Sequence, residues 1–257
     1  RGYDCEGFHA RGVEGIMAYI RAWILWLLLS TSPAWADPPK IFTLHGASGI
    51  LGHDSIENAP DTISHGDHIW KLEIDSLTLT QNPPHPFRAG GTVSPAYYFA
   101  DEYIAAGKAA DVILVDCPFT LGVLGNWHDG VRAYNQAAAD VCQTRIDAAI
   151  AAGGVYSGAI FYCCEGDTDN DTKVNDFQSL FLAVMERYRA TSGISDLPII
   201  LTTIATCSRR PRVNALQSKM SSLTAGGLYH VTTANLPQLD ACFHLTALGQ
   251  EGVGRRM

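Results

Sequence analysis

No C-x-x-C pair occurs among the seven cysteines of this 257-residue chain, so no zinc-ribbon pattern is present. Basic charge is also in short supply. Eighteen Lys and Arg stand against 26 Asp and Glu, giving a formal net charge of −8 and a pI near 5.5. A nucleic-acid binder needs a basic face to meet phosphates, so this balance argues against that class. It also gives no attraction to an anionic membrane. The longest apolar run, around "WILWLLL", is too short to span a bilayer as a mature helix. Internal repeats and low-complexity linkers are missing as well, which leaves one domain as the simplest organisation. The rest of the composition is ordinary: 47% hydrophobic and 17% charged residues, enough apolar material for a sizeable core. Such a chain suits an enzyme acting on neutral substrates.

The N-terminal stretch differs in character from the remainder. "MAYIRAWILWLLLSTSPAWAD" begins at Met17, carries Arg21, runs apolar from Ala22 to Leu29 and then presents Ala34-Trp35-Ala36. A positive residue, an apolar run and an A-x-A site are the three parts of a secretory signal peptide. The alternative is an amphipathic or buried N-terminal helix. The expected organisation is an upstream leader at 1–16, a signal peptide at 17–36 and a domain at 37–257. The protein is then expected to be secreted or periplasmic, with no stable membrane insertion after cleavage. Six cysteines fall in the expected domain: Cys117, Cys142, Cys163, Cys164, Cys207 and Cys242. An exported chain can pair them, although buried free thiols pack equally well as small hydrophobes. Cys163 and Cys164 are not expected to pair with each other, because adjacent cysteines close a strained ring.

Strands and helices alternate through the domain. "KIFTLHG" reads as a strand ending in a tight turn, and "ADVILVDC", "SGAIFYCC", "LPIILTTIA" and "GLYHVTT" as further strands. Helices are predicted over "SPAYYFADEYIAAG", "GVRAYNQAAADVCQTRIDAAIAAGG", "VNDFQSLFLAVMERYRATSG" and the segment after His244. Residues 51–91 read as loop, with "HIWKLEI" as a short strand. The fold class that follows is a single-domain, three-layer α/β/α sandwich with a mostly parallel, flavodoxin-like sheet. Sites in such sheets form at the carboxyl ends of strands.

Polar turns follow three of those ends: "GASG" with Ser48, "CPFTLGVLGNW" and "CCEGDTD". A C-terminal loop adds Asp240 and His244. A serine needs a histidine base, and the base needs a group to orient it. The first strand is central in a doubly wound sheet, so a loop from the far end of the chain can reach its carboxyl end.

Together these segments resemble the SGNH hydrolases, in the carbohydrate acetylesterase branch that holds sialate O-acetylesterase-like and acetylxylan esterase-like domains. "FTLHGASGILG" lies where that branch has G-Q-S-N-M-x-G after a strand. "VDCPFTLGVLGNW" lies where it has G-G-T-S and a later tryptophan, and "AIFYCCEGDTD" where it has W-x-Q-G-E-x-D. "FHLTALGQEGVGRRM" is close to its H-L-T-x-x-G-Q-x-x-x-G-R-R-M ending.

The resemblance implies Ser48 as nucleophile and His244 as base, with Asp240 orienting the ring. Thr120, Cys163, Glu165 and Asp167 fall at positions that serve the oxyanion hole or otherwise support the site. It implies no metal and no organic cofactor, and its substrate is an acetylated carbohydrate. Departures from the pattern are specific. The family's aspartate stands three residues before the histidine, where this chain has Ala241; Asp240 is one residue further away. Gly49 replaces the asparagine after the serine, Cys163-Cys164 replace Gln-Gly, and Pro118-Phe119 replace a glycine pair. A lost oxyanion donor costs about 2.7–4 kcal/mol of transition-state stabilisation. Two other readings therefore stand beside an exported acetylesterase: a carbohydrate-binding pseudoenzyme, and a general lipase or thioesterase on the same fold. Trp70 and Trp127 are candidates for a sugar platform, against ordinary aromatic packing.

Overall fold

A computed structural model describes residues 35–46, 50, 54, 63–73, 76–81, 93–117, 136–205, 210–240 and 244–257, with side chains of 136–138 excepted. The chain divides into compact units Arg1–Ala36 and Asp37–Met257, and the fold below is that of the second. The expected leader and most of the expected signal peptide lie outside the described residues. No helix among the described residues is long and apolar enough to cross a membrane.

Among the described residues, seven strands form one sheet: β1 (Lys40–Gly46), β2 (Ile69–Leu72), β3 (Leu79–Gln81), β4 (Val112–Cys117), β5 (Val155–Tyr162), β6 (Ile199–Thr202) and β7 (Leu228–Val231). Their spatial order is β3-β2-β4-β1-β5-β6-β7. All pairings are parallel except β2–β3, which is antiparallel. The run β4-β1-β5-β6-β7 is the flavodoxin-like order, extended at one edge by the β2–β3 pair. The chain leaves β1 toward one side of the sheet and later returns to the other. The carboxyl end of β1 is therefore the topological switch point, where such sheets open a crevice.

Alternation along the strands divides the core. Ile113, Val115 and Cys117 of β4 and Ala159 and Phe161 of β5 face one side; Val112, Leu114, Ile160 and Tyr162 face the other. The first side is covered by α2 (Gln136–Ala151), α3 (Asp171–Ser192) and α4 (Pro211–Ser222). The second is covered by α1 (Pro95–Ala105) and α5 (Ala247–Arg256). Phe161, Phe177 and Phe181 are fully enclosed, each contributing roughly 1.5–3 kcal/mol by leaving water.

Local chemistry sets the helix ends. Ser94 caps α1 by accepting from the Ala96 N–H at 3.2 Å, and Pro95 opens its first turn. Asn170 caps α3 in the same way through the Lys173 N–H, and Gly193 ends it in the left-handed region at φ 69°.

Two elements differ from the sequence reading. Helix α4 lies between the strands "LPIILTTIA" and "GLYHVTT", where the sequence reading placed no helix, although Val213, Leu216 and Met220 lie on one buried face behind Pro211. Strand β3 lies in the stretch read as loop. It is three residues long and mostly exposed, so it carries no apolar alternation to detect.

Candidate active site

Strands β1 and β5 end side by side. Gly46 is paired with Tyr162, the residue directly before Cys163. Gly46 has φ 149°, and a Cβ there would overlap the Tyr162 carbonyl, so only glycine fits this crossing. Ser48 follows two residues later in sequence and lies outside the described residues, as does Thr120.

The C-terminal loop is a closed unit. Gln238 and Leu245 form an antiparallel bridge, the Leu239 N–H donates to the His244 carbonyl at 2.8 Å, and the Thr246 N–H donates to the Pro237 carbonyl at 3.1 Å. Inside this clamp the Asp240 carboxylate meets His244 twice. Its Oδ1 accepts from the His244 backbone N–H at 3.1 Å, and its Oδ2 lies 2.5 Å from the ring Nδ1. A carboxylate at Nδ1 holds the proton there and leaves Nε2 as the basic nitrogen. The aspartate four residues before the histidine thus reaches the ring. Both side chains are partly exposed, at 26% for His244 and 43% for Asp240.

Helix α5 fixes this loop to the rest of the molecule. Thr246 caps it by accepting from the Gly249 N–H at 3.2 Å. The Ala247 N–H donates to Oδ2 of buried Asp54 at 2.8 Å. Asp54 lies six residues beyond Ser48 in sequence, and the Asp54 carbonyl accepts from Val93. Nearby, Ser94 donates to the Ile50 carbonyl at 2.6 Å. Gly254 lets α5 press against the Pro95 carbonyl and Tyr98. Arg255 pairs with Glu102 and with Glu251, and Arg256 donates to the Thr232 and Ala234 carbonyls. The long C-terminal motif is therefore mostly an anchor for the histidine loop.

The third motif continues β5. Cys163 and Cys164 are joined as a disulfide, contrary to the expectation from ring strain. The pair is accommodated because Cys164 adopts the left-handed region at φ 83°. A disulfide sulfur carries no S–H, so Cys163 supplies no side-chain donor. Glu165–Asp169 then form a 3₁₀ turn, with the Asp167 N–H donating to the Cys164 carbonyl at 3.0 Å. Asp167 is buried, and Glu165 is half-buried with its Oε2 enclosed and meeting no hydrogen-bond partner among the described residues. Burial pushes the Glu165 carboxyl up to about 7, and the charge of Asp167 adds to the rise.

Three further features were not singled out from sequence. Asp116, at the end of β4, is pushed up to about 6 by burial, against the pull of Arg145 and Lys71. Its signal was a charge interrupting "VILVDC". Asp54 sat in a polar stretch with no pattern. Cys117 and Cys142 form a second disulfide, tying β4 to α2; Cys207 and Cys242 lie outside the described residues. Trp70 is not at the site. It pairs with Ile113 near the amino end of β4, and its Nε1–H donates to Asp111 at 3.3 Å. Trp127 lies outside the described residues.

Solved structures repeat this architecture. One is a protein from Arabidopsis thaliana, with TM-score 0.71 and 18% identity over 86% of this chain and 96% of that one. NanS follows at TM-score 0.60 and 14% identity, over 87% and 96%. A carbohydrate acetylesterase from Xanthomonas citri gives TM-score 0.59 and 15% identity over 83% of this chain and 54% of that one, so this chain spans about half its length. At these identities the likeness is one of fold. No curated protein matches the sequence. The pattern of the carbohydrate esterases described as sialic acid-specific acetylesterases matches residues 38–257, nearly the whole described domain, and the chain belongs to that family.

Proposed function

We propose that this protein is an exported serine esterase that removes O-acetyl groups from carbohydrates. The observation carrying this reading is the Asp240–His244 pair, held on a loop that Asp54 ties to the chain just beyond Ser48. Family membership and the fold shared with a carbohydrate acetylesterase from Xanthomonas citri support the substrate class.

In the proposed cycle Ser48 Oγ attacks the acetyl carbonyl while His244 Nε2 takes its proton. Asp240 holds the ring and stabilises the imidazolium. Collapse of the tetrahedral intermediate breaks the ester bond, and His244 returns the proton to the departing sugar hydroxyl. Water, activated by the same ring, then releases acetate from Ser48. Backbone N–H groups carry the oxyanion, since Gly49 and disulfide-bonded Cys163 offer no side-chain donors. Cys163, Glu165, Asp167 and Thr120 are supporting groups in this reading.

The same loss of donors favours a second reading, a carbohydrate-binding relative with little or no turnover. Acetate release from O-acetylated sialic acid, acetylated xylan and 4-nitrophenyl acetate separates the two. The esterase reading expects release from at least one sugar ester. Binding of an acetylated sugar without any release supports the second. Turnover restricted to long-chain or thioester substrates favours a general lipase or thioesterase. Export is tested by sequencing the N-terminus of secreted material: the expected start is near Asp37, and a start upstream of Met17 on exported protein would overturn it.

A further inference from the structure

The clamp that carries His244 has two faces. Leu239 stands directly opposite His244, and Pro237 opposite Thr246, each pair joined by a backbone hydrogen bond; the Gln238–Leu245 bridge lies between them. Side chains alternate across such a ribbon, so Leu245 takes one face while Pro237, Leu239 and His244 share the other. Leu245 is wholly buried, which turns its face to the core and the His244 face outward. Leu239 is 47% exposed on that outward face, and Pro237 is exposed as well. We propose that Leu239, continued by Pro237, is an apolar wall against which the sugar of the substrate rests, and that Leu239 is a specificity-determining residue for the alcohol side of the ester.

On the esterase reading, from which this follows, His244 returns a proton to the departing alcohol oxygen. That oxygen must come within hydrogen-bond reach of the ring, about 2.6–3.2 Å. The sugar that bears it is therefore the part of the substrate beside His244, while the acetyl group stays on Ser48. Directly opposed residues of an antiparallel pair hold their Cβ atoms about 4.5–5.5 Å apart, so Leu239 borders the space the sugar enters. A pyranose presents a face of C–H groups as well as its hydroxyls. Covering that face with leucine takes apolar surface out of water on both partners. Helix α5 holds the clamp through the Thr246 cap and the Asp54 bond, so the wall keeps its place relative to the ring. Trp70, the aromatic candidate for a sugar platform, lies near the amino end of β4 instead.

The test compares Leu239→Ser, Leu239→Met and Val155→Thr. Val155 is similarly exposed, at 44%, but opens β5 at the amino end of the strand, away from the carboxyl ends. Tri-O-acetylated methyl xyloside and ethyl acetate share the acyl group and differ in the alcohol. Leu239→Ser is expected to raise KM for the xyloside roughly fivefold more than for ethyl acetate, with the loss in KM rather than kcat. Leu239→Met should recover most of it, and Val155→Thr should match the parent on both esters. Equal losses on the two esters, or a fall in kcat alone, would assign Leu239 to the stability of the clamp and overturn the proposal. So would a changed preference between 4-nitrophenyl acetate and butyrate, which would put Leu239 on the acyl side.

Calorimetry on the Ser48→Ala chain needs no turnover. Its binding of the acetylated xyloside is expected to weaken roughly fivefold when Leu239→Ser is added, with the fold kept by circular dichroism. If the parent cleaves no ester, the esterase reading fails, and this comparison alone decides for Leu239. Weakened binding upholds the wall; unchanged binding, or no binding by either chain, overturns it.

Discussion

Asp54 and Ala247 stand 193 positions apart and are joined by a 2.8 Å hydrogen bond from the Ala247 N–H to the Asp54 carboxylate. The carboxylate is buried, and it meets the positive end of α5. This bond ties the helix that follows the histidine loop to a residue six positions beyond Ser48. Asp54→Ala is expected to lower stability by about 1–3 kcal/mol, because it strands a buried N–H. It should also lower kcat/KM by more than the stability loss explains, by letting the His244 loop drift. Urea unfolding and steady-state kinetics on the same preparation check both. Unchanged kinetics in a destabilised variant would make the bond purely structural.

The Asp240–His244 contact leads to a tautomer prediction. Asp240→Asn keeps the size of the side chain but favours the wrong proton on the ring. It is expected to lower kcat roughly 10²- to 10⁴-fold with little change in KM. If kcat stays near that of the parent, the orienting role passes to Glu165 or Asp167, and alanine at each would then be the decisive comparison.

Glu165 makes stability depend on pH. Its carboxyl titrates near 4.5 when free and near 7 in the fold, so the folded state holds the proton longer. The resulting stabilisation is fully present below about 4.5 and is lost as pH rises through 7. The loss is on the order of 3 kcal/mol for a shift of this size. Unfolding free energies measured across that window should fall with pH in the parent and fall less in Glu165→Gln. Parallel slopes in the two proteins would contradict the assignment.

The β1–β5 crossing admits no side chain at Gly46. Gly46→Ala should destabilise the fold by more than about 2 kcal/mol, through overlap with the Tyr162 carbonyl and a backbone angle that alanine resists. Thermal melting checks it; a variant as stable as the parent would show that β1 and β5 separate readily at this end.

Much of this was legible in the sequence because the signals were local. Apolar runs marked β1, β4, β5 and β6, and the long C-terminal motif marked His244. What was missed depended on tertiary contact. Asp54 is ordinary until α5 packs beside it. The Cys163–Cys164 bond went against the expectation from ring strain; Cys164 there adopts the left-handed region at φ 83°, just ahead of the turn that follows β5. Asp240 was legible as a candidate, but its reach to the ring required the folded loop. Helix α4 was legible and overlooked: Val213, Leu216 and Met220 already had helical spacing.

Acetate release by Ser48→Ala measures the central claim most directly. On whichever acetylated sugar the parent hydrolyses best, this variant is expected to lose nearly all turnover, on the order of 10³-fold or more, while keeping its fold by circular dichroism. Hydrolysis at the parent rate by Ser48→Ala would contradict the account, because Ser48 would then not be carrying the reaction.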